Sequence, residues 1–342
     1  MKKLTYKFLL VLLSATLLFS ACAIPATPEP VEAEVVEEAA EVPAEEPVEE
    51  PTAEPEPTQE PEPEPIVVTD DLGEEVVLAE AAQTIVSLAP SITESLFAIG
   101  AGDLIVGRDA NSNYPDATQD IESVGFLWEG LPVEAIVALE PDLVIVAQTL
   151  TAEQVQELKD LDLIVYWQAN PEDFQGLYDN LADLAKLTGQ EDAAEELIAT
   201  LQERMTAVEE KLADVEETPL VFYELDATDP ASPYTPGPGT FISYVIAKAK
   251  GVNLGDAMEG AWVQVSSEEV IAQNPDIILL ADALYGITPE SVAARPGWEA
   301  ITAVVEEQTL AFDPFILSVP GPRLVDGFEQ VAQILHPEVF DN

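Results

Sequence analysis

Cysteine, histidine and arginine are scarce in this 342-residue chain: it has one Cys22, one His336 and four arginines. With a single thiol no intrachain disulfide can form, and neither a thiol–imidazole catalytic pair nor a zinc site of Cys and His ligands can be assembled in the folded body. Basic groups are outnumbered, 12 against 66 acidic, for a formal net charge of −54. Charge of this sign repels phosphate backbones, so nucleic-acid binding is excluded. It also opposes adhesion to anionic lipid, so any membrane link must be hydrophobic or covalent. No nucleophile elbow, dinucleotide fingerprint or P-loop stands at a strand–helix junction. Pro236-Gly237-Pro238-Gly239 is glycine-rich, but its prolines lack the amide donors of a phosphate cradle. These absences predict a binding protein without catalytic activity, intrinsic cofactor or bare-metal site.

What is present begins with an address. Lys2, Lys3 and Lys7 precede an apolar run from Phe8 to Phe19, too short to span a bilayer and suited to a signal-peptide core. Leu18-Phe19-Ser20-Ala21-Cys22 resembles a bacterial lipobox, with Phe19 where leucine is usual. The resemblance implies a signal peptide over 1–21 and lipidation of Cys22. Residues 22–66 then read as a tether: 23–65 hold 11 Pro and 15 Glu with no Lys or Arg. Such chain cannot bury enough apolar surface to offset its ordering entropy, and its composition predicts an extended linker. The body is therefore expected outside the cytoplasm, lipid-anchored to the cell membrane on its outer face or in the periplasm.

The body, 67–342, carries 9 basic and 51 acidic side chains. Apolar runs at 84–88, 104–107, 143–146, 163–167, 220–223, 277–280 and 310–312 lack alternation, as strands buried on both faces of parallel sheets do. Helical stretches separate them. Ala194, Leu197, Ile198, Leu201, Met205, Val208, Leu212 and Val215 recur at steps of three and four, with no Gly or Pro from 190 to 218. An internal repeat is plain: 134–147 parallels 268–281, each reading as helix, Pro-Asp turn and buried strand, with Glu134 and Glu268 seven positions before the proline. The predicted fold class is α/β, two Rossmann-like lobes joined by one long helix. The lobes are placed at 67–189 and 218–342, with the connecting helix at 190–217.

A cleft between such lobes suits a small molecule. Loops after strands offer Asn111, Tyr114 and Trp128 from the first half, and Tyr234, Trp262, Asp313 and Phe315 from the second. Trp128 and Trp262 each stand six residues before the repeated Glu, a matched placement suited to gripping a flat or bulky ligand. Arg108 follows a strand end and either faces the cleft or is a lone surface charge.

Residues 84–107, Asn113-Tyr114-Pro115, the Pro-Asp elements, 262–266 and Pro320-Gly321-Pro322-Arg323 resemble, over about 80–342, the class III substrate-binding proteins of ABC importers for vitamin B12 and ferric siderophores. The resemblance implies the two-lobed fold with small closure, a permease and its ATPase as partners, and permease docking through Glu134 and Glu268. It maps cleft aromatics onto Trp128, Tyr234 and Trp262 and an acidic contact onto Asp313, whereas Ala147, Asn111 and Leu317 stand where the vitamin B12-binding group has a tryptophan, a tyrosine and an arginine. The ligand is expected to be a neutral or weakly charged chelate carrying cobalt or iron, and the protein a monomer. The alternative is a surface-tethered sensor or scavenger with the same cleft and no transport role.

Overall fold

The structure, a computed structural model, describes residues 64–340; Cys22 and nearly all of the tether lie outside the described residues. The chain opens on an antiparallel hairpin, β1 (Ile66–Thr69) and β2 (Glu75–Leu78). The strand β1 thus takes up Ile66, the last residue assigned to the tether. The first lobe continues with β3 (Ile85–Ser87), α1 (Pro90–Ala98), β4 (Ile105–Asp109), β5 (Glu122–Gly125), α2 (Val133–Val137), β6 (Leu143–Ala147), α3 (Ala152–Lys159), β7 (Val165–Gln168) and α4 (Phe174–Thr188). Its five strands form one parallel sheet in the order β5-β4-β3-β6-β7. Gly189, at φ 68°, stops α4 in the left-handed region that glycine tolerates best, and α5 (Glu191–Leu212) follows with 22 residues.

The second lobe comprises β8 (Leu220–Glu224), β9 (Tyr234–Pro236), α6 (Phe241–Lys248), β10 (Val252–Asn253), β11 (Trp262–Gln264), α7 (Ser267–Gln273), β12 (Ile277–Leu280), α8 (Pro289–Ala293), α9 (Thr302–Val305), β13 (Thr309–Ala311), α10 (Phe315–Ser318), α11 (Leu324–Leu335) and α12 (Pro337–Phe340). Strands β10-β8-β12-β13 make a parallel four-stranded sheet, and β9 pairs antiparallel with β11.

The unalternating apolar runs bury both sheet faces, as parallel sheets require. In the first sheet Val86, Val144 and Val146 belong to a core under α2 and α3; in the second, Phe222, Ile278 and Leu280 belong to a core with Trp298. The opposite faces share a third core. Ile85, Leu143 and Ile145 meet Val221, Tyr223, Ile277 and Leu279 in one apolar cluster that includes Ala194, Leu201, Met205, Val208 and Leu212 of α5. The connecting helix is therefore no bare rod between separated sheets; its apolar stripe is part of a core common to both lobes. Phe174 of α4 anchors the junction, its ring 5.3 Å from Phe241 and 5.8 Å from both Tyr244 and Phe328.

The internal repeat has a structural meaning. Asp142 accepts the Gln83 and Thr84 backbone N–H groups through Oδ2, both at 2.9 Å, at the start of β3. These bonds hold its carboxyl below the usual carboxylate range. Asp276 accepts the Leu220 N–H at 2.8 Å, at the start of β8. Each aspartate clamps the amino end of a neighbouring strand. Before each proline the backbone is left-handed, at Glu140 (φ 46°) and Asn274 (φ 54°).

Candidate functional site

Parallel α/β sheets collect ligand-binding loops at the carboxyl ends of their strands, and both lobes bring those ends to a common recess of about 260 Å³. The first lobe lends Gln148, just after β6, and Asn170–Glu172, just after β7. The second lends Thr240 and Phe241 at the start of α6, Trp262 on β11, and Leu317 to Pro320 around the end of α10. Thr240 is fixed at both ends of its hydroxyl, which donates to the Gly237 carbonyl at 2.9 Å and accepts the Ser243 N–H at 3.1 Å. The Pro-Gly-Pro-Gly segment thus shapes a wall through the capping threonine that follows it.

Trp262 lies on the recess with its side chain mostly open, 56% exposed. Its strand pairing sets Trp262 opposite Pro236 and Gln264 opposite Tyr234, while Thr235 and Val263 turn to the buried side. Tyr234 is half-exposed on β9 and is sewn to the end of β8 by the Leu225 N–H to its carbonyl, 2.9 Å, and its own N–H to the Asp226 carbonyl, 2.8 Å. Trp128, 67% exposed, stands in the turn after β5, at the far edge of the first sheet, with its ring 4.2 Å from that of Phe126. It is not among the residues that wall the recess. Asp313 and Phe315 are exposed just after β13, where Asp313 Oδ1 accepts the Phe315 N–H at 2.9 Å. Asn111 is exposed after β4.

Two candidates have other engagements. Arg108 is buried, and its guanidinium donates to the backbone carbonyls of Thr118 at 2.7 Å and Asp109 at 3.2 Å, so the loop after β4 consumes it and it does not open to the recess. Tyr114 packs under the Arg323 guanidinium, 3.8 Å from ring centroid to Cζ, in a separate hollow between α1, α5 and the start of α11. There Glu94 of α1, only 3% exposed, receives Arg323 through the backbone N–H, Nε and Nη2, at 3.1, 2.8 and 2.7 Å. Burial raises the Glu94 carboxyl and Arg323 opposes that rise. This pair ties the first lobe to the second.

All four arginines of the chain are thus committed to the protein. Arg204 on α5 grips Asp326 and Glu329 of α11 at 2.5 and 2.6 Å. Arg295 pairs with Glu224 through both terminal nitrogens, one bond at 2.7 Å, and lies 4.6 Å over the Trp298 ring. No guanidinium is left over for an anionic guest. His336 is equally occupied, its Nε2 lying 3.1 Å from the Ala249 carbonyl. Glu134 and Glu268 are exposed near the starts of α2 and α7, and neither has an ion-pair partner among the described residues.

Gln148, Asn170 and Thr240 escaped sequence reasoning as recess residues, whereas Leu317, which the resemblance sets at a cleft position, does line the recess. The rule that parallel strands bind at their carboxyl ends would have found the first two, since each closely follows a strand.

A family model described as "Periplasmic binding protein" matches residues 85–314. The uncharacterized ABC transporter substrate-binding lipoprotein YvrC of Bacillus subtilis is 30% identical over 281 residues, covering 81% of this chain and 87% of that one. A cobalamin-binding protein of Halobacterium salinarum is 27% identical over 279 residues, 80% of this chain and 74% of its own. Among solved structures, the periplasmic haem-binding protein RhuT of Roseiflexus in its apo form superposes with a TM-score of 0.67 at 25% identity, covering 76% of this chain and all of that one. The fold is that of the class III periplasmic binding proteins. By this match, by the two parallel sheets and by the recess at their carboxyl ends, the chain belongs to the periplasmic binding protein family, as a solute-binding protein and not an enzyme.

Proposed function

We propose that this protein captures a neutral or weakly charged metal chelate, a corrinoid first and a hydroxamate-type ferric siderophore second, and delivers it to an ABC permease. In this reading the chelate carries the cobalt or iron, Glu134 and Glu268 meet the permease, and the lipid on Cys22 holds a monomer at the membrane. The observation that carries the choice of ligand is the engagement of all four arginines. A triply anionic catecholate complex entering the recess would meet the Glu172 carboxylate and no guanidinium, and burying it unpaired is costly. A neutral chelate needs only area and hydrogen bonds, which Trp262, Phe241 and the amides of Gln148 and Asn170 supply.

Titration followed by tryptophan fluorescence with cyanocobalamin, a ferrichrome-type hydroxamate and a catecholate iron complex tests this. Saturable quenching is expected with the first or second and none with the third, and Trp262→Ala should weaken binding by about 1–3 kcal/mol. Tight binding of the catecholate, or of none of the three, overturns the reading. In cells, Glu134→Ala with Glu268→Ala should abolish uptake and spare binding; unchanged uptake would instead favour a tethered sensor or scavenger.

A further inference from the structure

The recess is not the roomiest hollow at the carboxyl ends of the strands. Just past the ends of β8 and β12 lies a cavity of about 770 Å³ within the second lobe. Its walls include Asp226, Thr228, Tyr234, Asp282, Tyr285 and Ile287, with no Lys, Arg or His among the residues that line it. The β9–β11 ribbon serves both hollows, giving Trp262 to the recess and Tyr234 to this cavity. A guest of corrin size overfills a 260 Å³ recess, since drug-sized pockets already run to roughly 300–1,000 Å³. It must spread along the ribbon, and this cavity is where the ribbon leads.

The chemistry of the cavity is one-sided. Asp282 is 3% exposed, and its Oδ2 accepts the Ala227 N–H at 3.0 Å while Oδ1 is buried without a hydrogen-bond partner. A buried acceptor left unmatched is costly, and a donor brought by a ligand would relieve that cost. Burial first, and the neighbouring Glu224 carboxylate second, push Asp282 up to about 6. Tyr285, in the turn after β12, is 83% exposed, and Leu284 beside it is also open. Aromatic area presented beside two carboxylates, with no cation in the wall, suits an apolar plate edged with hydrogen-bond donors.

We infer that this cavity is a second ligand subsite, distinct from the Trp262 recess, that takes the amide-bearing edge of the chelate, with Asp282 as acceptor at its base and Tyr285 closing over it. The inference rests on the chelate-binding reading above. It sets the specificity of the site: primary amides are accepted there, and a tetrapyrrole edged with carboxylates is refused, because every ionisable group lining the cavity is an acid or a tyrosine.

The test is calorimetric titration of wild type, Tyr285→Ala and Asp282→Asn with dicyanocobinamide, which carries amides, and with haemin, which carries carboxylates. Asparagine at 282 still accepts the Ala227 N–H but presents a donor in place of the free acceptor. Each variant should bind cobinamide about tenfold more weakly with unchanged thermal unfolding, and Asp282→Asn should narrow the preference for cobinamide over haemin by at least as much. Cobinamide affinity unchanged in both variants overturns the subsite alone and leaves the chelate reading standing. A wild type that binds no cobinamide, or prefers haemin, overturns both.

Discussion

Single residues carry much of the fold's definition through their backbone conformations and their buried partners. Glu140 and Asn274 occupy the same place in the two copies of the repeat, each left-handed before a proline. Asparagine is at ease there, and Asn274 also clasps Thr302 through Oδ1 and Nδ2, both at 2.8 Å. Both residues bear the β-carbon that costs about 1–2 kcal/mol in the left-handed region, but glutamate lacks the short polar side chain whose local hydrogen bonds offset that cost for asparagine. Glu140→Asn is expected to stabilise the protein by about 0.5–1 kcal/mol in urea denaturation, because Glu140 is exposed and its side chain is not needed for packing. The Glu-to-Pro-Asp pattern was visible in the chain, but its job as a strand clamp was not, since Asp142 acts on residues 58 and 59 positions earlier. Arg108 and Tyr114 teach the same lesson. Their local sequence offers a charge and a ring near a strand end; what claims them is the turn at Thr118 in one case and an arginine two hundred residues away in the other.

At the scale of elements, the strands that can be read from composition are those buried on both faces. Their β-branched runs leave no polar phase, and β3, β4, β6, β7, β8, β12 and β13 fall on or within a residue or two of the expected stretches. The β9–β11 ribbon is different. Tyr-Thr-Pro and Trp-Val-Gln are three residues each, with no period long enough to register, and only their pairing makes them strands. Yet this ribbon holds Tyr234 and Trp262. Gly237 fixes its end: its N–H donates to the Ala261 carbonyl at 2.8 Å, and a β-carbon there would stand 2.1 Å from the Gly260 carbonyl oxygen. Gly237→Ala is therefore expected to spread the ribbon, costing about 1–3 kcal/mol of stability and weakening ligand binding together, as read by thermal unfolding and by titration on the same preparation. A change confined to one of the two measurements would separate the ribbon from the site.

For the whole folded body, the two lobes share one core along α5 and are joined again by the Glu94–Arg323 pair and the Phe174 cluster. Such fusion predicts a single cooperative unfolding transition, followed identically by fluorescence and circular dichroism. Arg323→Ala should lower its stability by about 3–5 kcal/mol, because Glu94 is left charged and buried without its partner; two separable transitions in the wild type would contradict the shared core. A long apolar helix was legible from its three-and-four spacing, but whether it divides or unites its neighbours is decided by faces that the spacing alone does not assign. The Asp142 and Asp276 clamps sit at the amino edge of each sheet, the opposite side from the loops that wall the recess. Structural upkeep and molecular taste are thereby kept apart. A lineage, or an engineer, can rewrite the mouth for a new cargo and leave the hinges of the frame untouched.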